Sequence, residues 1–189
     1  MIRLSDAAPG DVPAIAEIFV EMSIFYGTPA SELDSLEVRQ QQISAALFAD
    51  IPAARALLAW DGSDVVGCAT YSFLWPAAGL SSSLFLKELY VAATARRQGV
   101  GNALMHGLFE IAAQRRCSRV EWMTDIGNKS AQAFYAGLGV PASTSKVHYR
   151  LAGDELGGAG LMPGGHTALS TRSGQSVALT ERTPGRAAS

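Results

Sequence analysis

The stretch Arg96-Arg97-Gln98-Gly99-Val100-Gly101-Asn102-Ala103 decides the fold of this chain. It follows residues 84–91, which are typical of a strand, and it precedes residues 104–114, which have the apolar spacing of an amphipathic helix. The first turn of a helix has backbone N–H groups without intrahelical partners, and the helix dipole adds partial positive charge there. A strand, a glycine turn and a helix N-terminus in this order therefore predict an anion site, where the glycines leave room for a phosphate group.

Three other interpretations of this turn can be compared with the sequence. An ordinary helix cap is compatible with it, since glycine is frequent in turns. A P-loop is excluded because no Gly-Lys-Ser/Thr follows, and a dinucleotide fingerprint is excluded because Leu104 stands where its third glycine belongs. Arg96 and Arg97 add positive charge to the turn, so the predicted ligand is a phosphate-rich cofactor.

A second segment, residues 118–139, repeats the order of strand and helix. Residues 118–124 are typical of a strand, and Asn128 is a good N-cap for the helix that follows. The apolar residues of that helix share one face, namely Ala131, Phe134, Tyr135 and Leu138. On the structural interpretation, Phe134 and Tyr135 only pack the helix against the sheet.

Together the two segments resemble the cofactor motifs of the GNAT superfamily of N-acetyltransferases. Residues 96–101 match Arg/Gln-x-x-Gly-x-Gly/Ala, and residues 128–139 match Asn-x-x-Ala-x-x-Phe-Tyr-x-x-x-Gly. The resemblance covers about residues 2–152 and is strongest over residues 56–139, where it is closest to the diamine and polyamine branch. It implies an α/β (α+β) fold, with a mixed, strongly twisted sheet and helices on both faces.

The resemblance also implies acetyl-CoA as the cosubstrate and a set of site residues. Tyr135 would protonate the departing thiolate, and Glu88 is the candidate base, with a structural or substrate-orienting carboxylate as the alternative. The predicted cofactor-binding residues are Leu89, Tyr90, Val91, Arg96, Arg97, Gln98, Gly99, Val100, Gly101, Asn102, Ala103, Asn128, Ser130 and Phe134.

The acceptor is predicted to be the primary amine of a small molecule. Lys87 stands where the branch usually has the first of two adjacent acids, and its charge opposes a long polycation. Neighbouring strand residues face opposite sides, so Lys87 could instead point away as a solvated residue. Acetylation of a protein lysine or N-terminus, and a non-catalytic acyl-CoA sensor, remain the alternative functions.

Composition limits the partners. A chain of 189 residues with a net charge of −2 offers no electrostatic basis for binding nucleic acid or an anionic membrane. Two cysteines, Cys68 and Cys117, are expected to be packing residues, and three histidines lack metal-ligand spacing. The N-terminus has no signal pattern and no apolar run approaches the ~20 residues of a membrane span, which predicts a cytoplasmic protein. A homodimer is left open.

The remaining elements follow from local patterns. We expect a strand at residues 1–4, a helix after Asp11, a helix over about 34–48 behind a capping box at residues 31–34, and a hairpin of strands 56–60 and 64–73. A last strand is predicted at residues 146–151. Residues 1–152 are predicted to be the catalytic domain, and residues 153–189 a flexible Gly/Ser/Thr-rich tail with one weak strand at 176–180.

Overall fold

The computed structural model describes residues 1–143, 147–153, 166–170 and 176–180. The chain divides into two compact units, Met1–Val140 and Pro141–Ser189, and each is described by itself. The first unit contains every segment that the sequence assigns to the candidate site.

Five strands of the first unit form one mixed sheet in the order β1-β2-β3-β4-β5. Their bounds are β1 Arg3–Asp6, β2 Arg55–Asp61, β3 Asp64–Leu74, β4 Ser83–Val91 and β5 Arg119–Trp122. Neighbouring strands are antiparallel except β4 and β5, which are parallel. A parallel pair needs a long crossover, and helix α3 (Val100–Gln114) supplies it. The predicted mixed sheet and the hairpin at Asp61-Gly62 are confirmed.

Helices cover both faces of this sheet, as predicted. Because strand side chains alternate, Leu58 and Leu57 point to opposite faces and belong to different apolar clusters. Helices α1 (Val12–Phe25) and α2 (Leu36–Phe48) pack on the Leu58 side. Helices α3 and α4 (Lys129–Gly137) pack on the Leu57 side.

Two predicted element starts are wrong. The first strand runs from Arg3 to Asp6 rather than over residues 1–4, because its backbone pairs with Leu57–Trp60 of β2. The capping box at residues 31–34 does not start α2, because Leu33 is extended, with ψ 135°. Ser35 caps this helix instead, and its Oγ accepts a hydrogen bond from the Val38 N–H at 3.3 Å.

The predicted last strand is also wrong over the described residues 147–151, which form no strand. Val147 and Tyr149 are 76% and 88% exposed. An alternating pattern favours a strand, but a strand forms only where a partner satisfies its backbone groups.

The second unit contains an antiparallel pair of strands, β6 His166–Ser170 and β7 Ser176–Thr180. The weak strand at 176–180 is therefore confirmed, whereas β6 was not predicted. The domain boundary at residue 152 and the flexible tail stay predictions, and most of residues 154–189 lie outside the described part of the chain.

Candidate active site

The site is built around a gap between the parallel strands β4 and β5. Their pairing runs from Ser83–Arg119 to Leu86–Trp122 and stops there, although β4 continues to Val91. Residues 87–91 therefore have no strand partner on the β5 side within the described chain. The backbone groups of this segment are available to an extended ligand, in the way that a peptide adds to a sheet edge.

A β-bulge accompanies this divergence. Thr70 of β3 pairs with Glu88, and the next residue, Tyr71, pairs with Leu86, so Lys87 is an extra residue in β4. A bulge bends its strand and increases the local twist. The bend occurs at the point where β4 and β5 separate.

The extra residue Lys87 forms an ion pair with its neighbour Glu88. The Lys87 Nζ lies 3.4 Å from Glu88 Oε1, and the two side chains are 69% and 36% exposed. The exposure of Lys87 agrees with its interpretation as a solvated residue, and the direction in which it faces relative to the acceptor stays a prediction. An exposed ion pair of this kind contributes about 0–1 kcal/mol to stability, so Lys87 can separate from Glu88 at little cost.

The glycine turn leads into α3 as predicted. Gly99 is the N-cap and has a left-handed φ of 83°, which a residue with a Cβ adopts only at a cost. The Ala103 N–H donates to the Gly99 carbonyl at 2.9 Å. The N–H groups of Val100, Gly101 and Asn102 come before that bond and have no acceptor within the helix. The turn therefore has the backbone of an anion site.

The second glycine of the turn has a packing role, and its predicted role toward a phosphate stays a prediction. A Cβ on Gly101 would lie 3.2 Å from Phe134 Cζ and 3.9 Å from Val91 Cγ2. Gly101 therefore lets α4 and the end of β4 approach the N-terminus of α3. This contact brings the three predicted cofactor segments together.

The two arginines of the turn differ in their surroundings. Arg97 is exposed and has a left-handed φ of 65°. Arg96 is half-buried, and its Nε donates to the Val91 carbonyl at 3.0 Å and its Nη2 to the Tyr90 hydroxyl at 3.1 Å. Gln98 is exposed, and its Nε2 donates to the Thr94 carbonyl at 2.9 Å. Phosphate binding by these side chains stays a prediction.

The α4 segment begins as the sequence predicts. Asn128 is the N-cap, and its Oδ1 accepts from the Ala131 N–H at 3.0 Å, while Ser130 is exposed in the first turn. Leu89, Phe134 and Tyr135 are partly buried in the apolar cluster of α3.

Tyr135 lies where the gap meets α4. Its ring centroid is 5.2 Å from that of Trp122 and 5.1 Å from that of Phe134. Burial, followed by the charges of Tyr26 and Glu88, raises the pKa of Tyr135 to about 12. Its phenol is therefore protonated at any physiological pH, as a proton donor must be.

Tyr26 and Asp125 were missed by the sequence interpretation. The pKa of Tyr26 is raised by partial burial and then by the charges of Glu88 and Asp125, so these groups share one electrostatic environment. Gln132 braces the loop that carries Asp125, because its Nε2 donates to the carbonyls of Asp125 and Ile126 at 3.0 and 2.8 Å. An aromatic residue just before the Gly27-Thr28-Pro29 break is the sequence signal that could have identified Tyr26.

Comparison with known proteins identifies the family. Residues 17–140 match the model of the Acetyltransferase (GNAT) family. The chain belongs to the GNAT family. Its members are acetyltransferases, so the resemblance in the two motifs is confirmed.

Among curated relatives of this GNAT protein, an aminoglycoside N(6')-acetyltransferase type 1 of Serratia marcescens is 39% identical over 66 residues. That match covers 35% of this chain and 45% of the relative, so it spans less than half of that protein. A thialysine N-epsilon-acetyltransferase of Bos taurus is 23% identical over 146 residues, which cover 73% of this chain and 83% of the relative.

Solved structures agree on the GNAT fold. An integron cassette protein from the mobile metagenome of V. cholerae has a TM-score of 0.77 at 27% identity, over 83% of this chain and 96% of that one. An aminoglycoside acetyltransferase from an uncultured soil metagenomic sample, solved with sisomicin, has a TM-score of 0.66 at 16% identity, over 80% and 95%. The second likeness shows the fold alone.

No group of three or more His, Cys, Asp or Glu side chains within the described residues could hold a metal ion. Across the same ranges, no helix combines the length and the hydropathy that a membrane crossing requires.

Proposed function

We propose that this GNAT protein transfers the acetyl group of acetyl-CoA to the primary amine of a small molecule, by direct attack in a ternary complex. The observation that carries the proposal is the gap beside residues 87–91 of β4, which has the N-terminus of α3 at one end and Tyr135 beside it. An anion site, an unpaired strand edge and a buried acid are the parts that this transfer needs.

The residues present fit the acetyl donor. The N–H groups at the start of α3, from Gln98 to Asn102, suit a pyrophosphate, and the exposed Arg97 adds positive charge. Ala103 was predicted to share in this site, but its N–H group is already bonded to the Gly99 carbonyl at 2.9 Å. Residues Leu89 to Val91 suit the extended pantetheine arm, with Asn128, Ser130 and Phe134 on the α4 side of the gap. When bound, acetyl-CoA supplies an activated thioester.

The acceptor amine must lose a proton before it can attack. A free alkylamine with a pKa of ~10.4, as for lysine, is almost entirely protonated at neutral pH. Glu88 is a half-buried carboxylate at the gap, so it is our candidate for accepting that proton, directly or through water. Tyr135 holds its proton up to a pKa of about 12 and would give it to the leaving thiolate. A positioned acid or base contributes ~10²–10⁴-fold to the rate.

A small amine suits the acceptor side. Glu88 and Asp125 provide negative charge for an ammonium group, while Lys87 beside Glu88 opposes a long polycation. Relatives named for acetylating an aminoglycoside and thialysine support an acceptor of this size.

A screen of small amines, amino acids and aminoglycosides for coenzyme A release tests the proposal. We expect release with at least one small amine, and a strong loss of it with Tyr135→Phe. Release only with lysine-containing proteins would instead indicate a protein acetyltransferase. Tight acetyl-CoA binding without release in any mixture would indicate a sensor. The cytoplasmic location and the homodimer stay predictions, which cell fractionation and sedimentation would test.

A further inference from the structure

Arg96 contacts the end of β4 and the end of α1 through one guanidinium group. Its Nε donates to the Val91 carbonyl at 3.0 Å, at the end of β4. Its Nη2 donates to the Tyr90 hydroxyl at 3.1 Å. Its Cζ lies 4.3 Å from the ring centroid of Phe25, in the last turn of α1. Arg96 therefore ties the end of α1 to the end of β4.

Glu21 closes the same network from α1. One carboxylate oxygen, Oε1, accepts from the Tyr90 hydroxyl at 3.1 Å and from the Ala93 N–H at 2.8 Å. The Tyr90 hydroxyl thus donates to Glu21 and accepts from Arg96. All hydrogen-bond partners in this network lie within the domain. None of these hydrogen bonds involves the backbone N–H groups at the start of α3.

The segment that the network holds would otherwise be weakly anchored. Phe25 and Tyr26 are each 56% exposed at the end of α1, and Gly27 ends the helix directly after them. Helix ends fray unless side chains tie them down. The ring of Phe25 contacts Tyr26, with centroids 5.3 Å apart, so the position of one ring constrains the other.

Tyr26 is placed toward the reacting side of the gap. Tyr90 and Glu88 lie two residues apart on β4 and therefore share one face of that strand. The ring centroid of Phe25 lies 6.0 Å from that of Tyr90, so the end of α1 lies over the face of β4 that carries Glu88. The charge of Glu88 also raises the pKa of both Tyr26 and Tyr135.

We infer that Arg96 is a positioning residue for the acceptor rather than a phosphate ligand: through Phe25 and Tyr90 it sets where Tyr26 lies relative to Glu88. The inference rests on the proposed function, because it assigns the acceptor side of the same site. A planar guanidinium suits this role, since it donates in fixed directions and stacks on an aromatic ring at the same time.

Arg96→Gln and Arg97→Gln remove the same charge from the same turn and form a matched pair. With an accepted amine, we expect Arg96→Gln to raise the acceptor KM or lower kcat by about tenfold in total, and to change acetyl-CoA affinity by less than about threefold. Arg97→Gln should instead weaken acetyl-CoA affinity more than it affects the acceptor. The exposed cation of Arg97 can act on a phosphate, and it makes no hydrogen bond, ion pair or ring contact with α1 in the described residues. If the loss in acetyl-CoA affinity for Arg96→Gln equals or exceeds the loss in acceptor kcat/KM, the inference is overturned.

A second variant and a measurement that needs no turnover keep the inference testable if Arg96→Gln does not fold or if no accepted amine is found. Phe25→Leu removes the ring on which Arg96 stacks and leaves the turn intact, so it should reproduce the acceptor defect in a folded protein. Amide hydrogen exchange of residues 22–28 should accelerate in Arg96→Gln and in Phe25→Leu but not in Arg97→Gln. Unchanged exchange would overturn the inference. Absence of coenzyme A release by the wild-type protein with every amine would count against the proposed function, and the exchange result would still decide the role of Arg96.

Discussion

At the scale of single residues, the phenol of Tyr135 combines burial with a position beside the gap. Tyr135→Phe removes one oxygen and keeps the ring contacts with Trp122 and Phe134. We expect unchanged acetyl-CoA affinity and a turnover number lower by about tenfold or more, because solvent replaces the acid only in part. Single-turnover kinetics on one accepted amine would measure the chemical step. Normal chemistry in that phase would limit Tyr135 to packing.

The same phenol predicts how stability depends on alkaline pH. The pKa of Tyr135 is raised from 10.0 to about 12 in the folded protein, so between these values the unfolded chain releases the proton first. Stability associated with this group is therefore fully present below pH 10.0 and is lost as the pH rises toward 12.

Tyr135→Phe should thus lose less stability than the wild-type protein between pH 10.0 and pH 12. Urea unfolding at a series of alkaline pH values measures this difference. Cys68 has a pKa raised to about 12 by burial, and it contributes equally to both proteins, so only their difference reports on Tyr135. If the free energy of unfolding falls with pH equally in the two proteins, the phenol has the same pKa in the folded and unfolded states.

At the scale of single elements, the bulge in β4 lies where the pairing between β4 and β5 ends, and we expect it to maintain the gap. Leu86 and Glu88 already pair with adjacent residues of β3, so deleting Lys87 would make the ladder regular without turning any side chain to the other face. The expected result is a folded sheet in which β4 follows β5 beyond Leu86. We expect turnover to fall by about a hundredfold or more, since the gap would close.

Lys87→Ala is the matched control for that deletion, because it removes the ion pair with Glu88 but keeps the extra residue. Its turnover should stay within about threefold of wild type, as expected for an exposed pair. Circular dichroism and the thermal midpoint would establish folding of both variants. Equal turnover of the deletion variant and Lys87→Ala would show that the bulge does not maintain the gap.

At the N-terminus of α3, one substitution should raise the stability of the helix and lower the affinity for acetyl-CoA. Asn102 is exposed in the first turn, whereas any side chain at Gly101 would meet Phe134. Asn102→Asp should stabilise the helix by about 0.3–1 kcal/mol through the dipole. The same charge should weaken acetyl-CoA binding by about tenfold if a pyrophosphate lies there.

Calorimetry and chemical unfolding measure the two effects of Asn102→Asp, and Asn102→Ala controls for loss of the amide. A more stable variant with undiminished acetyl-CoA affinity would remove the phosphate from this helix end.

How much of the site could be predicted depends on the range of the interactions involved. The cap of Asn128 and the glycine turn before α3 depend on residues next to them in the chain, and both were predicted from local chemistry, although the left-handed φ of Gly99 was not. The bulge at Lys87 depends on the register between β3 and β4, which no local pattern specifies. The proximity of Tyr26 to Glu88 depends on how α1 packs on the sheet, so it became visible only in three dimensions.

At the scale of the whole molecule, the compact unit Met1–Val140 contains all five strands of the mixed sheet and both cofactor motifs. The two apolar clusters of the sheet consist of residues of this unit. Burial of such clusters is the main source of folding free energy in a domain. The residues after about 152 should therefore add little to the stability of the catalytic domain.

A chain that ends at Asp154 should keep its thermal midpoint within a few degrees and its turnover within about twofold, because the removed residues contribute none of the predicted site groups. Differential scanning calorimetry and steady-state kinetics on one accepted amine measure the two quantities. Sedimentation of both chains would show whether shortening alters the oligomeric state. Loss of turnover together with a change from dimer to monomer would mean that the C-terminal residues build the site across a dimer. Loss of both stability and turnover in an unchanged assembly would mean that they pack on the domain itself, and either result would move the predicted boundary at residue 152 toward the C-terminus.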